Sequence, residues 1–288
     1  MNFLVTGSST GIGYYTAERL ARRGFQVFAT VRRSSDVDKL KQVSPLIHPI
    51  ICDVAVKSTI APAIEELKSK TGGLLHGLVN NAGIALGGPL EFFPVSEIRK
   101  VFEVNVFGLL EMTQACIPLL RQAAQQNKRR WPARIVNVSS VSGLVAMPLM
   151  GPYSGSKFAL EALSDSMRVE LRGAGIHVSL VEPGVTATPI WETTLCQAKK
   201  IRQALPHEAE PKYGRMLDRF EAFSVYRGPR GAHPNSIARV IERALLSPFP
   251  RARYFCGGTQ GNIQRVLSLL PKSVNDRFFA RAIGTSEG

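Results

Sequence analysis

The chain has 288 residues, 44% of them apolar, enough for one large α/β domain or two small ones with a substantial core. No apolar run approaches the roughly 18–20 residues of a membrane span, so integral membrane insertion is not expected. The formal net charge of +14 raises nucleic-acid binding, but no helix-turn-helix, zinc-finger or RNA-binding signature accompanies it, and no nucleic acid is expected as a partner. The charge reads instead as a solvated basic surface that also draws anionic cofactors and substrates. Cys52, Cys116, Cys196 and Cys256 lie far apart without a CxxC pair, which points to reduced thiols in a cytoplasmic protein. The scattered histidines lack the spacing of a metal site. Met1 to Thr6 run straight into the first motif, which leaves no room for a signal peptide.

In chain order, strand-like runs at residues 3–6, 26–31, 46–51, 77–80, 135–139, 177–181 and 253–256 alternate with helical patterns at 13–23, 57–70, 96–122, 153–172 and 234–246. This alternation predicts an α/β fold, a Rossmann-type doubly wound parallel sheet of about seven strands with helices on both faces. Pro118 is expected to kink or shorten the helix that contains it. Residues 128–130, a basic run, read as an exposed loop and only weakly as a targeting signal. The whole of 1–288 is expected to be one domain. A substrate-covering insertion is expected at about 185–233 and a C-terminal extension at about 257–288. Within that extension, residues 263–270 are read as a packed helix in preference to an amphipathic surface contact.

The first strand leads into Thr6-Gly7-Ser8-Ser9-Thr10-Gly11-Ile12-Gly13 and then a helix. Glycines at 7, 11 and 13 permit a tight turn, close approach of backbone to a pyrophosphate and tight packing of helix on strand. The free N–H groups and the dipole at the helix start then favour an anion.

Further along, Tyr153 and Lys157 are four residues apart and project from one face of a helix, with Ser140 at the end of the preceding strand. A free phenol, with a pKa near ~10, is a poor acid–base catalyst at neutral pH, and a fixed cation beside it favours the phenolate. On this segment alone a surface pair is an equal reading.

With the glycine loop, Asn80-Asn81-Ala82-Gly83 and the Ser–Tyr–Lys set, the chain resembles the short-chain dehydrogenase/reductase family over about residues 3–260. The resemblance implies that Asn105, Ser140, Tyr153 and Lys157 form the catalytic tetrad. Tyr153 would be the general acid–base. Lys157 would bind the nicotinamide ribose and lower the pKa of Tyr153, Ser140 would orient the substrate oxygen, and Asn105 would anchor a relaying water. The implied cofactor set is Gly7, Ser9, Thr10, Gly11, Ile12, Gly13, Arg32, Asp53, Val54, Asn80, Ala82, Gly83, Tyr153, Lys157, Pro183, Gly184 and Thr188. Within it, Asp53 would face the adenine, and Pro183, Gly184 and Thr188 the carboxamide.

NAD-preferring relatives end the second strand on an acid. Here Val31 stands at that position and Arg32 follows, which favours NADP(H), with NAD(H) as the alternative; Thr10 lacks the basic residue some NADP-preferring relatives carry.

Residues 27–32, 156–162 and 175–184 are similar to the estradiol-type hydroxysteroid and retinol dehydrogenase branch. This implies interconversion of a secondary alcohol and a ketone on a lipophilic, steroid- or retinoid-like small molecule. Ile190, Trp191, Leu195, Phe220, Phe223 and Tyr226 are candidate pocket residues. A homodimer or tetramer through helices 96–122 and 153–172 is also implied. The rival readings are an NAD-dependent dehydrogenase of a small hydroxy acid, a reductase of acyl thioesters or acidic substrates, and a non-catalytic cofactor-sensing protein.

Overall fold

The computed structural model describes residues 1–126, 132–256 and 266–283; the basic run at 128–130 lies outside them. All seven expected strands are present: β1 (Asn2–Val5), β2 (Gln26–Val31), β3 (Ile47–Ile51), β4 (Gly77–Asn80), β5 (Ala133–Val138), β6 (Ile176–Pro183) and β7 (Arg253–Cys256). They pair in parallel in the order β3-β2-β1-β4-β5-β6-β7, so chain direction across the sheet reverses between β1 and β4. Ligands of such sheets bind outside the carboxyl ends of the strands at that reversal.

The helices are α1 (Gly11–Arg22), α2 (Ser35–Lys41), α3 (Lys57–Thr71), α4 (Val95–Phe102), α5 (Leu109–Gln126), α6 (Gly151–Glu170), α7 (Ile190–Gln203), α8 (Ala209–Arg227), α9 (Pro234–Leu246) and α10 (Lys272–Ile283). Alternation along each strand sorts the core into two layers. Leu4, Phe28, Ile50, Leu78 and Ile135 pack under Ile64 and Leu67 of α3, Met112 and Leu120 of α5 and Met167 of α6. Phe3, Val5, Val27, Ala29, Val79 and Val136 face Ala17 and Leu20 of α1 and Ile237 and Ile241 of α9.

The expected helix at 96–122 is corrected in one respect. It is two helices, α4 and α5, joined by a π-helical turn at Glu103–Gly108, and α5 runs on through Pro118. Proline removes one intrahelical donor, and the buried neighbours Cys116, Leu119 and Leu120 hold that turn in the core. The irregularity belongs instead to Gly108, where a Cβ would come within 2.1 Å of the Val54 carbonyl oxygen. The backbone after β3 therefore packs directly against the end of this turn, an approach that the glycine permits.

The insertion forms α7 and α8, and a parallel bridge between Thr186 and Ala232 closes its two ends together at the mouth of the sheet. Of the expected C-terminal packed helix at 263–270, residues 263–265 lie outside the described residues. Leu267 is buried and accepts a hydrogen bond from Asn275 Nδ2 at 3.0 Å.

Candidate active site

The glycine loop takes its shape from backbone that only glycine adopts without strain: φ is +67° at Gly7 and +59° at Gly11. The loop is tied at both flanks. Gly7 N donates to Thr30 Oγ1 at 3.1 Å, and Asn81 Nδ2 donates to the carbonyl oxygens of Thr6 and Gly7 at 2.9 and 3.0 Å. The start of α1 carries no acidic residue in its first turn, so its free N–H groups present an undiluted positive end.

This loop borders a cleft of about 620 Å³. Gly7, Ser9, Thr10, Gly11 and Ile12 line its floor, with Arg32, Asp53 and Val54 at one end and Ala82 and Gly83 in the middle. Ser140, Tyr153, Lys157, Pro183, Gly184 and Thr188 line it farther along, where the glycine-lined part meets the apolar wall. The donors of a helix start, a backbone cradle and an elongated cleft fit a dinucleotide.

Three of the expected site residues do not border the cleft. Gly13 is buried under the loop, where a Cβ would meet Gly7 O at 2.3 Å. Asn80 points into the helix layer, its amide donating to Thr113 Oγ1 at 2.8 Å and Asn137 Oδ1 at 2.9 Å, because strand alternation sends it away from the cleft. The next residue, Asn81, is the one that lines the cleft and pins the loop. Asn105 is fully buried in the π-turn: its Oδ1 accepts from Ile84 N at 2.9 Å, while Nδ2 donates to Ile84 O at 2.9 Å and Ser156 Oγ at 3.0 Å. It therefore clamps the Gly83–Ile84 segment to α6.

Tyr153 sits in the first turn of α6 and Lys157 one turn later on the same face. Lys157 is buried; its Nζ donates to Val138 O at 2.9 Å and lies 5.7 Å from the centre of the Tyr153 ring. Burial pushes the Lys157 ammonium down to about 8, partly opposed by the carboxylate of Glu161. The expected lowering of the Tyr153 pKa belongs to the cofactor-bound site; in the protein alone the direction is upward. Burial raises the phenol above its usual value, and a hydrogen bond with Ser140 pulls it only part of the way back. Desolvation outweighs that hydrogen bond. Tyr153 is thus a protonated donor at neutral pH.

A partly buried charge cluster adjoins Lys157 through Glu161. Glu161 repeats the four-residue step from Tyr153 and Lys157, and this stripe was readable in the sequence as a third member. Arg253 reaches Glu161 at 3.2 Å, Glu182 at 3.2 Å and Asp165 at 2.7 Å. The loop before α6 places Leu149 at φ +64°, a left-handed conformation costing about 1–3 kcal/mol in a non-glycine residue. Gly88 N donates to the Leu149 carbonyl at 2.7 Å and holds it there.

The remaining cleft wall is mostly apolar. Of the expected pocket residues, Ile190, Trp191, Phe220 and Phe223 line it, while Leu195 and Tyr226 do not. Tyr226 is exposed with the Arg230 guanidinium 4.2 Å over its ring. Unforeseen contributors are Met147, Leu149 and Met150 before α6, Phe278 and Phe279 of α10, and Arg219 and Arg227 of α8.

A family model described as short chain dehydrogenase matches residues 2–198. The chain belongs to the short-chain dehydrogenase family. Among its relatives, an NADPH-dependent 3-dehydrocapnine reductase of Ornithobacterium rhinotracheale is 30% identical over 96% of this chain and 95% of its own. The mitochondrial D-beta-hydroxybutyrate dehydrogenase of Mus musculus is 33% identical over 87% of this chain and 75% of its own. A short-chain dehydrogenase from Streptomyces avermitilis superimposes with a TM-score of 0.75 at 25% identity, covering 100% of this chain and 98% of that one. This short-chain dehydrogenase is an NAD(P)-dependent oxidoreductase acting on a small-molecule substrate. Among the described residues no helix is long and apolar enough to cross a membrane, and no three histidine, cysteine, aspartate or glutamate side chains are grouped so as to hold a metal ion.

Proposed function

We propose that this short-chain dehydrogenase uses NADP(H) to interconvert a secondary alcohol and a ketone on a lipophilic substrate of steroid- or retinoid-like bulk. The observation that carries the reading is the meeting of Tyr153, Lys157 and Ser140 at the point where the glycine-lined half of the cleft passes into its apolar half. The bound nicotinamide supplies or accepts the hydride.

In the reducing direction Tyr153 gives its phenolic proton to the carbonyl oxygen, which Ser140 holds. The Lys157 ammonium stabilises the phenolate left behind. Asn105 keeps the Ile84 backbone and α6 in register, so that tyrosine and cleft floor stay aligned. In the oxidising direction the same groups act in reverse.

The Lys157 ammonium, held at about 8, sets a pH limit. Its depressed value means the cation is present below about 8 and lost above it. The kcat/KM for carbonyl reduction is therefore expected to fall as pH rises through that point. A pH–rate profile flat from neutral well past it would remove Lys157 from this role.

For the cofactor, Arg32 stands exposed at the end that Asp53 and Val54 line, with no acid at position 31 to repel a 2′-phosphate. Arg32→Asp is expected to weaken NADPH by about a hundredfold and NADH far less, because a charge-assisted hydrogen bond is replaced by repulsion. Equal losses in fluorescence titrations of the two cofactors would contradict this. We also read the chain as a homo-oligomer. Phe107, Phe158 and Val169, at 51, 38 and 69% exposure, leave apolar surface on the π-turn and α6 for a second copy to cover. Sedimentation showing monomer alone at micromolar concentration would contradict it.

A further inference from the structure

We propose that Arg219 and Arg227 form an anion subsite in the outer half of the cleft, so that the substrate is a lipophilic alcohol or ketone with a carboxylate or sulfonate at its far end. This rests on the alcohol–ketone reading and narrows it. The charged residues on the cleft wall are Arg32 and Asp53 at one end, Lys157 in the middle, and Arg219 and Arg227 in the outer half. Among the described residues no carboxylate lines that outer half. The two arginines stand on one face of α8 with Phe223 midway between them, each a single helical step of four residues away.

Among the described residues several of their basic neighbours are ion-paired, whereas Arg219 and Arg227, like Lys200 and Arg215, are not. On α7 and α8, Lys199 pairs with Glu221 at 2.8 Å, Arg202 with Asp218 at 2.7 Å and Lys212 with Glu91 at 2.9 Å. Among the described residues, neither Arg219 nor Arg227 has a carboxylate within ion-pair distance. Arg219 is half-buried, and a guanidinium taken from water without a counter-charge costs free energy that a bound anion offsets. The guanidinium fork matches carboxylate and sulfonate oxygens in pairs. Trp191, Phe220 and Phe223 also line the cleft, and would hold an apolar body while Tyr153 meets the reacting oxygen.

The test is calorimetric titration of decanoate, decanesulfonate and methyl decanoate into the NADP-loaded protein, with Arg219→Gln, Arg227→Gln, the double variant and Arg215→Gln as a control off the cleft wall. One or both anions are expected to bind about tenfold more tightly than the neutral ester, and the two anion arms distinguish carboxylate from sulfonate. The double variant is expected to erase that preference, and Arg215→Gln to keep it. Anions and ester binding equally to the wild-type protein, or the control erasing the preference as well, would overturn the subsite. Oxodecanoates and their methyl esters, assayed for turnover in parallel, separate the two claims. Turnover without anion preference removes the subsite and leaves the activity. Anion preference without turnover of either probe keeps the subsite and counts against the activity.

Discussion

Tyr153→Phe is expected to lower turnover by about a thousandfold while leaving the affinity for the cofactor within about threefold. The substitution removes one oxygen from the cleft and keeps the ring that packs there. The glycine loop, Asn81 and Arg32, which shape the dinucleotide end, are untouched. The raised pKa of the phenol makes this loss a loss of acid, because at neutral pH the wild-type group carries the proton that the substrate oxygen needs. Single-turnover kinetics beside a cofactor fluorescence titration separate the two quantities. Residual turnover within about tenfold of wild type would mean that water or Ser140 supplies the proton.

Gly13→Ala is expected to destabilise the fold by about 1–3 kcal/mol and to weaken the cofactor by about a hundredfold or more. The added methyl would sit 2.3 Å from the Gly7 carbonyl oxygen and 2.5 Å from Asn81 Nδ2, which is itself bonded to that carbonyl. Neither neighbour can withdraw without opening the loop. Gly24 provides the comparison: at φ +81° an alanine is strained there too, but nothing lies within 4 Å of its Cβ. Gly24→Ala should therefore cost stability of about 1–2 kcal/mol and leave the cofactor unaffected. Thermal denaturation and cofactor titration of both variants test the contrast. Equal weakening of the cofactor would show that general destabilisation, and not the loop, explains the result.

The sheet was legible because its strands are buried on both faces and bounded by clear turns, so near-continuous apolar runs marked them. The chemical end was legible because Tyr153 and Lys157 share a helix face and Ser140 closes the neighbouring strand. Three things were hidden for physical reasons. The π-turn ends at Gly108 in close contact with the Val54 backbone, a tertiary packing that no local pattern records, whereas Pro118 looked like the breaker and was absorbed by packing. Asn80 and Asn81 are adjacent with the same side chain, and only the phase of β4 decides which one faces the loop. Arg219 and Arg227 sit among many basic residues of α7 and α8, and what sets them apart is the cleft that they line.

One assay tests the proposed reaction most directly: the wild-type protein with a panel of lipophilic ketones, some bearing an acidic group, followed by nicotinamide absorbance with NADPH and NADH in parallel. The expected result is ketone-dependent oxidation of NADPH, faster than that of NADH, which disappears in Tyr153→Phe. NADPH that binds tightly and is not oxidised with any ketone, or oxidation that survives Tyr153→Phe unchanged, would contradict it.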